Sequence, residues 1–226
     1  MRKILQIANI LILPLFPSFA GDLAVEFSLG LRETLYTSSP GVLSLGLSYD
    51  DLSLYAMAHG DEEQSIAISY HPITEFNKHE GGTFLDLSIA EVHNPGLGGW
   101  ADAAIVFGQV HGWKHFSFSY SAGFQIGLSF SEYSDLINKS FSPLVSLSGA
   151  FIISPVTLSV YLTMTHPAER QWKALPVAGI RLDAEASEHS SFYLDIYAKA
   201  AEYLIDPVVT ISGYSIRVGY IYRGAI

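Results

Sequence analysis

The chain has 226 residues, of which 49% are apolar and only 15% are charged, and its formal net charge is −10. An acidic chain without a basic stripe excludes nucleic acid as a partner, because the phosphate backbone repels it. The sequence contains no cysteine, which excludes disulfide bonds, thiolate metal sites and cysteine nucleophiles.

The first twenty residues have the pattern of a secretory signal peptide. Arg2 and Lys3 precede an apolar run from Ile4 to Phe16, and small residues follow up to Ala20. The run is shorter than the ~20 apolar residues that a spanning helix needs. We predict export with removal of residues 1–20, which leaves residues 21–226 as one domain. The loss of Arg2 and Lys3 lowers the basic count from 12 to 10 against 22 acidic residues.

Apolar residues alternate with small or polar ones along the rest of the chain, which is the period-two pattern of β-strands. The clearest segment is FSFSYSAGFQIGLSF at residues 116–130, where even positions are apolar or aromatic and odd positions are Ser, Gly or Gln. About twelve such segments, and no convincing helix, predict an all-β fold. Segments with this alternation lie, in chain order, at residues 23–32, 43–49, 66–70, 85–89, 116–130, 156–165, 178–183, 192–197 and 214–222.

The joints between the segments alternate in length. The odd-numbered joints are mostly long and the even-numbered joints mostly short, with residues 72–82 as the exception. An antiparallel meander places odd and even joints at opposite ends, and transmembrane barrels have short turns at one end. We predict a single antiparallel transmembrane β-barrel of about twelve strands, with ten or eight as alternatives. The predicted joints are residues 33–41, 50–51, 60–64, 72–82, 92–101, 112–115, 131–141, 154–155, 166–175, 186–189 and 201–207.

The polar faces of the predicted strands carry Ser, Gly, Thr and Ala, whereas a face in water usually carries Lys, Glu and Arg. Small side chains and a few charges of both signs suit an enclosed lumen. The predicted lumen residues are Glu26, Arg32, Asp86, Gln125, Arg181, Asp183, Asp195, Lys199 and Arg217. Rings near strand ends predict membrane-interface positions, namely Tyr49, Tyr70, Trp100, Trp113, Phe130, Tyr220 and Tyr222. We also expect four inward apolar residues, which are Ile105, Phe107, Leu144 and Ile152.

Residues 21–226 resemble the bacterial outer-membrane β-barrel superfamily of porin-like proteins. The resemblance is carried by the signal peptide, by alternation such as LAVEFSLGLR at residues 23–32, and by aromatic strand ends such as GYSIRVGYIY at residues 213–222. It is a resemblance of pattern and picks out no subfamily. It implies a barrel in the bacterial outer membrane that contacts outer-membrane lipid and is inserted by the barrel-insertion machinery, with no cofactor.

Eight histidines lie in joints or at strand ends, and none has the spacing of a metal site. The run His115-Phe116-Ser117 is similar to the His-x-Ser pair of two barrel enzymes, the outer-membrane phospholipase and the lipid A deacylase. Those enzymes complete the triad with Asn or Glu about a dozen residues further on, but Glu132 and Asn138 are more distant. We therefore predict no catalytic residue and no enzymatic activity.

The predicted function is a passive, porin-like channel for small solutes. The alternative is a non-conducting surface barrel, an adhesin or structural protein, that binds partners through loops at residues 33–41, 93–101 and 131–142. An outer-membrane hydrolase and a soluble periplasmic β-protein are further alternatives. The solute, the partner and the oligomeric state are left open by the sequence.

Overall fold

The computed structural model describes residues 22–34, 41–59, 63–77, 81–94, 98–131, 134–164, 174–202 and 209–225. The predicted signal peptide lies outside the described residues. Within the described ranges no helix is long and apolar enough to cross a membrane. The strands are β1 (Asp22–Thr34), β2 (Gly41–Tyr49), β3 (Leu52–His59), β4 (Glu63–Asn77), β5 (Gly81–Asn94), β6 (Gly98–Trp113), β7 (Phe116–Ser131), β8 (Ser134–Ile153), β9 (Val156–Thr163), β10 (Val177–Ser187), β11 (Ser190–Glu202) and β12 (Val209–Ala225).

The twelve strands form one closed antiparallel barrel. Each strand pairs with the next in the chain, and β1 pairs with β12 from Asp22 opposite Ala225 to Thr34 opposite Gly213. Closure leaves the sheet without an edge, so the backbone groups of every strand have partners on both sides. The prediction of an all-β antiparallel barrel with twelve strands is confirmed.

The barrel has two unlike ends. The turn end carries four two-residue turns, at residues 50–51, 114–115, 154–155 and 188–189, together with Asp22 and Ala225. The β4–β5 connection also lies at the turn end, and the loop end carries the remaining connections, of which residues 164–176 form the longest. The predicted alternation of joint length therefore holds at the turn end, except at the β4–β5 connection.

Three predicted joints are shorter in the structure because the strands continue into them. β4 and β5 pair as far as Asn77 opposite Gly81, and β7 and β8 pair as far as Ser131 opposite Ser134. β5 and β6 pair as far as Asn94 opposite Gly98. Strand pairing needs only backbone hydrogen bonds. These extensions can therefore form without the apolar alternation on which the sequence prediction relied.

The outer wall of the barrel is apolar. In β7 the even-numbered side chains are on the outer face, and Phe124, Ile126, Leu128 and Phe130 are each at least two-fifths exposed. The odd-numbered side chains of β7 face the interior, where Ser121 and Gln125 are buried. Exposed leucine, isoleucine, valine and aromatic side chains recur on all twelve strands of the outer wall, far beyond the apolar patches of water-soluble monomers.

The expectation that Ile105 and Phe107 face inward is wrong. Along β6 the buried residues are the even-numbered ones, such as Asp102 and Ala104, and Phe107 is 52% exposed on the outer face. The small residues Ala101 and Ala103 occupy the same outer face. Because β6 carries small or apolar residues on both faces, its alternation does not distinguish inside from outside. Leu144 does face the interior, as expected.

Candidate functional site

Charged side chains of alternating sign line the interior of three adjacent strands. Arg181 of β10 lies opposite Asp195 of β11, and Asp195 lies opposite Arg217 of β12. Opposite charges on paired strands stabilise the sheet, and each carboxylate reduces the cost of burying its neighbouring cation. This part of the interior, with Glu26 of β1, is called the charged wall below.

Arg217 is the centre of a hydrogen-bond network that links the last strand of the barrel to the first three. Its guanidinium is only 3% exposed and donates to Ser28 Oγ at 2.6 Å, to Ser44 Oγ and to the Tyr55 hydroxyl. The Oγ atoms of Ser28 and Ser44 are themselves 2.5 Å apart and share a hydrogen bond. One side chain of the last strand thus binds groups on the first three strands. A buried guanidinium needs such partners, because water is not there to replace them.

Tyrosine hydroxyls extend the charged wall. The Tyr193 hydroxyl donates to Glu26 Oε1 at 2.5 Å, and the Tyr161 hydroxyl donates to Asp195 Oδ1 at 2.8 Å. Arg181 lies over the Tyr193 ring at 3.9 Å from its centroid. Its Nε and Nη2 atoms donate to Asp183 at 3.0 and 2.9 Å. Fork-like pairing and ring stacking fix the guanidinium in one orientation.

The Tyr193 ring lies against Gly219 of the neighbouring strand. A Cβ on Gly219 would overlap the ring carbons and the hydroxyl of Tyr193. Gly179 is related in the same way to the Tyr161 ring. Each tyrosine ring therefore occupies the space that a side chain on the neighbouring strand would take. This contact helps to fix the register of the two strands.

Gly219→Ala is expected to lower the free energy of unfolding by about 1–3 kcal/mol, the usual cost of overpacking. Tyr193 is buried and holds Glu26, so its ring has no free space to enter. Urea unfolding in detergent micelles measures the change. Gly149→Ala is the control, since the nearest atom to its Cβ would be a ring carbon of Phe116 at 3.5 Å. Equal stability of the two variants would contradict the packing argument.

The opposite side of the interior, on strands β5–β8, carries mostly small side chains. We call this the small-residue wall. Residues of this kind leave volume between themselves and the charged wall. They are Ser88, Ala90, Ala104, Gly108, Ser119, Ser121, Gly123, Gly127, Ser146 and Ser148.

Apolar side chains pack inside the barrel near the loop end. Val42 and Met57 of β2 and β3 form a buried cluster with Val177 and Tyr197 of β10 and β11. These two pairs of strands are not neighbours in the sheet, so the contacts pass through the interior. The cluster narrows the interior towards the loop end.

The end of the β9–β10 connection also lies inside the barrel. Ala174 is buried against Ala104 and Leu144 of the small-residue wall, and its backbone N–H donates to Ser142 Oγ at 3.2 Å. The described part of this connection therefore folds inward at the loop end rather than extending away from the rim. Sequence reasoning treated residues 166–175 as an outer joint and did not find this contact.

The charged residues of the interior differ in burial. Asp195, Lys199 and Arg217 are each less than 10% exposed. Arg181 is in register with Asp195 and Arg217, and Asp183 lies two residues closer to the turn end; their side chains are 29% and 27% exposed. Interior side chains are buried towards both ends, with Val42 and Val177 near the loop end and Ser191 and Ile221 near the turn end, whereas Arg181 and Asp183 retain access to water.

The predicted lumen residues that have described side chains all lie on the interior face of their strands. Gln125 is fully buried, and Asp86 is part-exposed with its Oδ1 atom 3.9 Å from His71 Nδ1. The side chain of Arg32 lies outside the described residues. Sequence reasoning missed Ser28, Ser44 and Tyr55 as partners of Arg217, because only the three-dimensional register of the closed barrel places them together.

Most predicted interface rings are on the outer wall. Trp113 and Tyr222 lie near the turn end, and Trp113 stacks on Phe116 with ring centroids 5.6 Å apart. Trp100 differs, because it shares the interior face of β6 with Asp102. Its side chain therefore does not lie on the outer wall with the other predicted interface rings. The rings exposed on the outer wall are Tyr70, Trp113, Phe130, Tyr220 and Tyr222, and Tyr49 is partly exposed.

The histidines do not form a metal site among the described residues, where no group of three potential ligands occurs. His115 is in the β6–β7 turn, exposed, with its Nδ1 atom 3.3 Å from the Ile152 carbonyl. Ser117 lies on the interior face of β7, opposite Ala150. The absence of any catalytic residue stays a prediction.

Comparison with solved structures identifies the fold. The chain is similar to a KdgM porin in complex with disordered oligogalacturonate, with a TM-score of 0.53 and 8% identity over 88% of this chain and 98% of that one. It is similar to the NanC porin, with a TM-score of 0.51 and 10% identity over the same shares. A third similar structure is the COG4313 outer membrane channel from Pseudomonas putida F1, with a TM-score of 0.49 and 12% identity over 92% and 97%.

The fold is that of a bacterial outer-membrane β-barrel. The resemblance predicted from the sequence is thereby confirmed at the level of fold. No family model matches the chain, and no curated protein matches its sequence.

Proposed function

We propose that the chain, after removal of residues 1–20, resides in a bacterial outer membrane and acts there as a passive, porin-like channel for small solutes. It has no enzymatic role in this proposal. The observation that carries the proposal is the contrast between the two faces of the closed sheet. Large apolar side chains are exposed all around the outside, and polar side chains with access to water lie within.

The outer wall suits lipid because each strand presents an apolar face to the surroundings. A closed sheet meets the requirement that no backbone group be unpaired in hydrocarbon. Trp113 and Tyr222 near the turn end suit the headgroup level, where amphipathic rings gather. The barrel-insertion machinery of the outer membrane is the proposed partner in assembly.

The interior suits small solutes because the small side chains on β5–β8, opposite the charged wall, leave volume between the two walls. The apolar cluster around Val42 and Val177, and the contact of Ala174 with Leu144, set the narrow part near the loop end. Solutes of small cross-section pass such a constriction and large ones do not.

The same packing favours a second candidate, a non-conducting surface barrel that binds partners through its loop end. In that case the clusters around Val42 and Ala174 are a permanent seal. The two candidates share the fold and the membrane, and they differ only in whether the interior conducts.

Planar-bilayer recording separates the candidates. We expect the folded chain without residues 1–20 to produce discrete current steps. A barrel that is inserted, as judged by heat-modifiable gel mobility, but electrically silent would contradict the channel and support the surface role. A chain that stays monomeric and folded in buffer without detergent would contradict the membrane location itself.

A further inference from the structure

The outer wall of β6 carries polar side chains near the turn end. Gln109 and His111 lie on the same face as the exposed rings of Phe107 and Trp113. Gln109 lies opposite Tyr120 of β7, and the Tyr120 hydroxyl donates to Gln109 Oε1. An amide or an imidazole in hydrocarbon costs free energy unless it is hydrogen-bonded. The position of this pair therefore calls for surroundings that supply hydrogen-bond partners.

Aromatic rings hold these polar groups in place. The His111 ring stacks on Tyr120 with centroids 5.7 Å apart, and its centroid lies 6.4 Å from that of Trp113. Trp113 in turn stacks on Phe116, which packs against Phe151 of β8 at 5.2 Å. Ring packing restricts the motion of the side chains, so their hydrogen-bonding atoms keep fixed positions. We call the following residues the donor cluster: Gln109, His111, Trp113 and Tyr120.

The donor cluster has N–H groups that find no acceptor among the described residues. Tyr120 occupies Gln109 Oε1, which leaves both N–H groups of the Gln109 amide nitrogen directed at the surroundings. Within the described part of the chain, the ring contacts of His111 and Trp113 involve no hydrogen bond from their nitrogens. A set of outward donors on one surface fits a ligand that is rich in acceptor oxygens.

The depth of the donor cluster follows from the height of the outer wall. Lys139 of β8 is exposed beside Leu128, near the loop end of the same wall. Tyr120 and Leu128 are about 21 Å apart along the barrel axis, at about 3.4 Å per residue and a strand tilt of about 40°. The apolar band of such barrels is about 25 Å tall. Gln109 and Tyr120 thus lie at the edge of the hydrocarbon layer, and His111 lies beyond it towards the turn end.

The apolar wall beside the donor cluster has room for hydrocarbon chains. Gly149 of β8 lies opposite Phe118 and Val160 on the outer face and leaves a depression between these side chains. A Cβ on Gly149 would come within 3.5 Å of the Phe116 ring, so that ring forms one side of the depression. The two adjoining surfaces match a molecule that carries acceptor oxygens and hydrocarbon chains together.

We propose that the donor cluster binds the phosphate and ester oxygens of one glycerophospholipid. The Gln109 amide and a ring nitrogen of His111 donate to these oxygens, and the acyl chains lie along the apolar wall of β7 and β8. Lys114, exposed in the β6–β7 turn, places a positive charge on the side of the phosphate. Short turns face the periplasm in bacterial barrels, so the lipid belongs to the periplasmic leaflet. The inference rests on the membrane location in the proposed function and is independent of conduction.

The test is native mass spectrometry of the whole processed chain, folded in detergent micelles and titrated with dioleoylphosphatidylethanolamine. We expect the wild type to retain one phospholipid per barrel. The double variant Gln109→Met with His111→Phe is expected to bind it about tenfold more weakly, the effect of losing two hydrogen bonds of ordinary strength. Methionine keeps the length of residue 109 and phenylalanine keeps the ring at residue 111, while both remove the donors.

Gln64→Met with His93→Phe is the matched control. Gln64 of β4 and His93 of β5 lie opposite each other on the outer wall near the loop end. The control thus changes the same two residue types at the other end of the barrel. We expect it to retain phospholipid as the wild type does. Heat-modifiable gel mobility of every variant shows that the barrel is folded.

The outcomes are distinct. A wild type that retains no phospholipid, or a double variant that binds it equally well, overturns the site and leaves the membrane location in place. Equal losses in the double variant and the control overturn the assignment to the donor cluster. Dioleoylglycerol has the chains and the ester oxygens without the phosphate, and binding of it as tight as that of the phospholipid overturns the role of the phosphate. A chain that is folded and monomeric without detergent contradicts the membrane location, and the site with it.

Discussion

Replacing Arg217 with alanine is expected to lower the free energy of unfolding by about 3–5 kcal/mol, the usual effect of removing one partner from a buried charged pair. Its guanidinium donates to Ser28, Ser44 and Tyr55, and its register partner Asp195 is 2% exposed. The variant leaves three hydroxyls in the interior without this donor and removes the positive charge opposite the buried carboxylate of Asp195. Buried polar groups that lose their partners account for most of such a loss.

The measurement is urea unfolding in detergent micelles, with the temperature of the heat-modifiable gel shift as a second readout. Arg223→Ala is the matched control, because it removes the same charge from the same strand at an exposed position. It is expected to change stability by no more than about 0.5 kcal/mol. A loss of equal size in both variants would show that total charge, and not the network around Arg217, is what matters.

A substitution at Val218, the residue after Arg217, is expected to have the second large effect on stability. Val218 is 56% exposed on the outer wall, near the middle of β12, and lies opposite Leu29 and Leu194. Val218→Arg is expected to destabilise the barrel in lipid by about 2–4 kcal/mol, the cost of arginine at the bilayer midplane on a barrel's outer face. The reason is the loss of hydration when the guanidinium enters hydrocarbon.

Depth distinguishes this cost from an ordinary surface effect. Tyr222→Arg, on the same face of the same strand but near the turn end, is expected to cost only about 0–1 kcal/mol. Unfolding from lipid vesicles in urea measures both variants. If Val218→Arg is neutral, the outer wall meets water or another protein instead of lipid.

The sequence predicts the faces of most strands because the period of a strand is two. In β7 the apolar and aromatic side chains all lie on one face and Ser, Gly and Gln on the other, and burial of Gln125 beside exposed Phe124 follows from this pattern. In β6 the alternation is weak, because Ala101 and Ala103 share the outer face with Phe107. Hydrophobicity alone therefore does not show which residues of β6 face the interior.

The sequence does not predict the hydrogen-bond partners of the charged side chains in the interior. Arg217 and Ser28 are 189 residues apart in sequence, and they meet only because β12 closes on β1. One signal was present: Tyr161 and Tyr193 are aromatic residues on otherwise polar faces, where their hydroxyls now bind Asp195 and Glu26. The inward fold of residue 174 depends on contacts with β6 and β8 that no local pattern records.

The placement of Arg217 also bears on how the ring of strands is completed. The last strand brings the donor, and the first three strands hold the acceptors, so the network cannot form in a nascent sheet that is still open. Closure of the sheet by the β11–β12 hairpin and burial of the Arg217 guanidinium therefore occur together. A chain that stopped short of β12 would retain the three hydroxyl acceptors and lack the group that locks them.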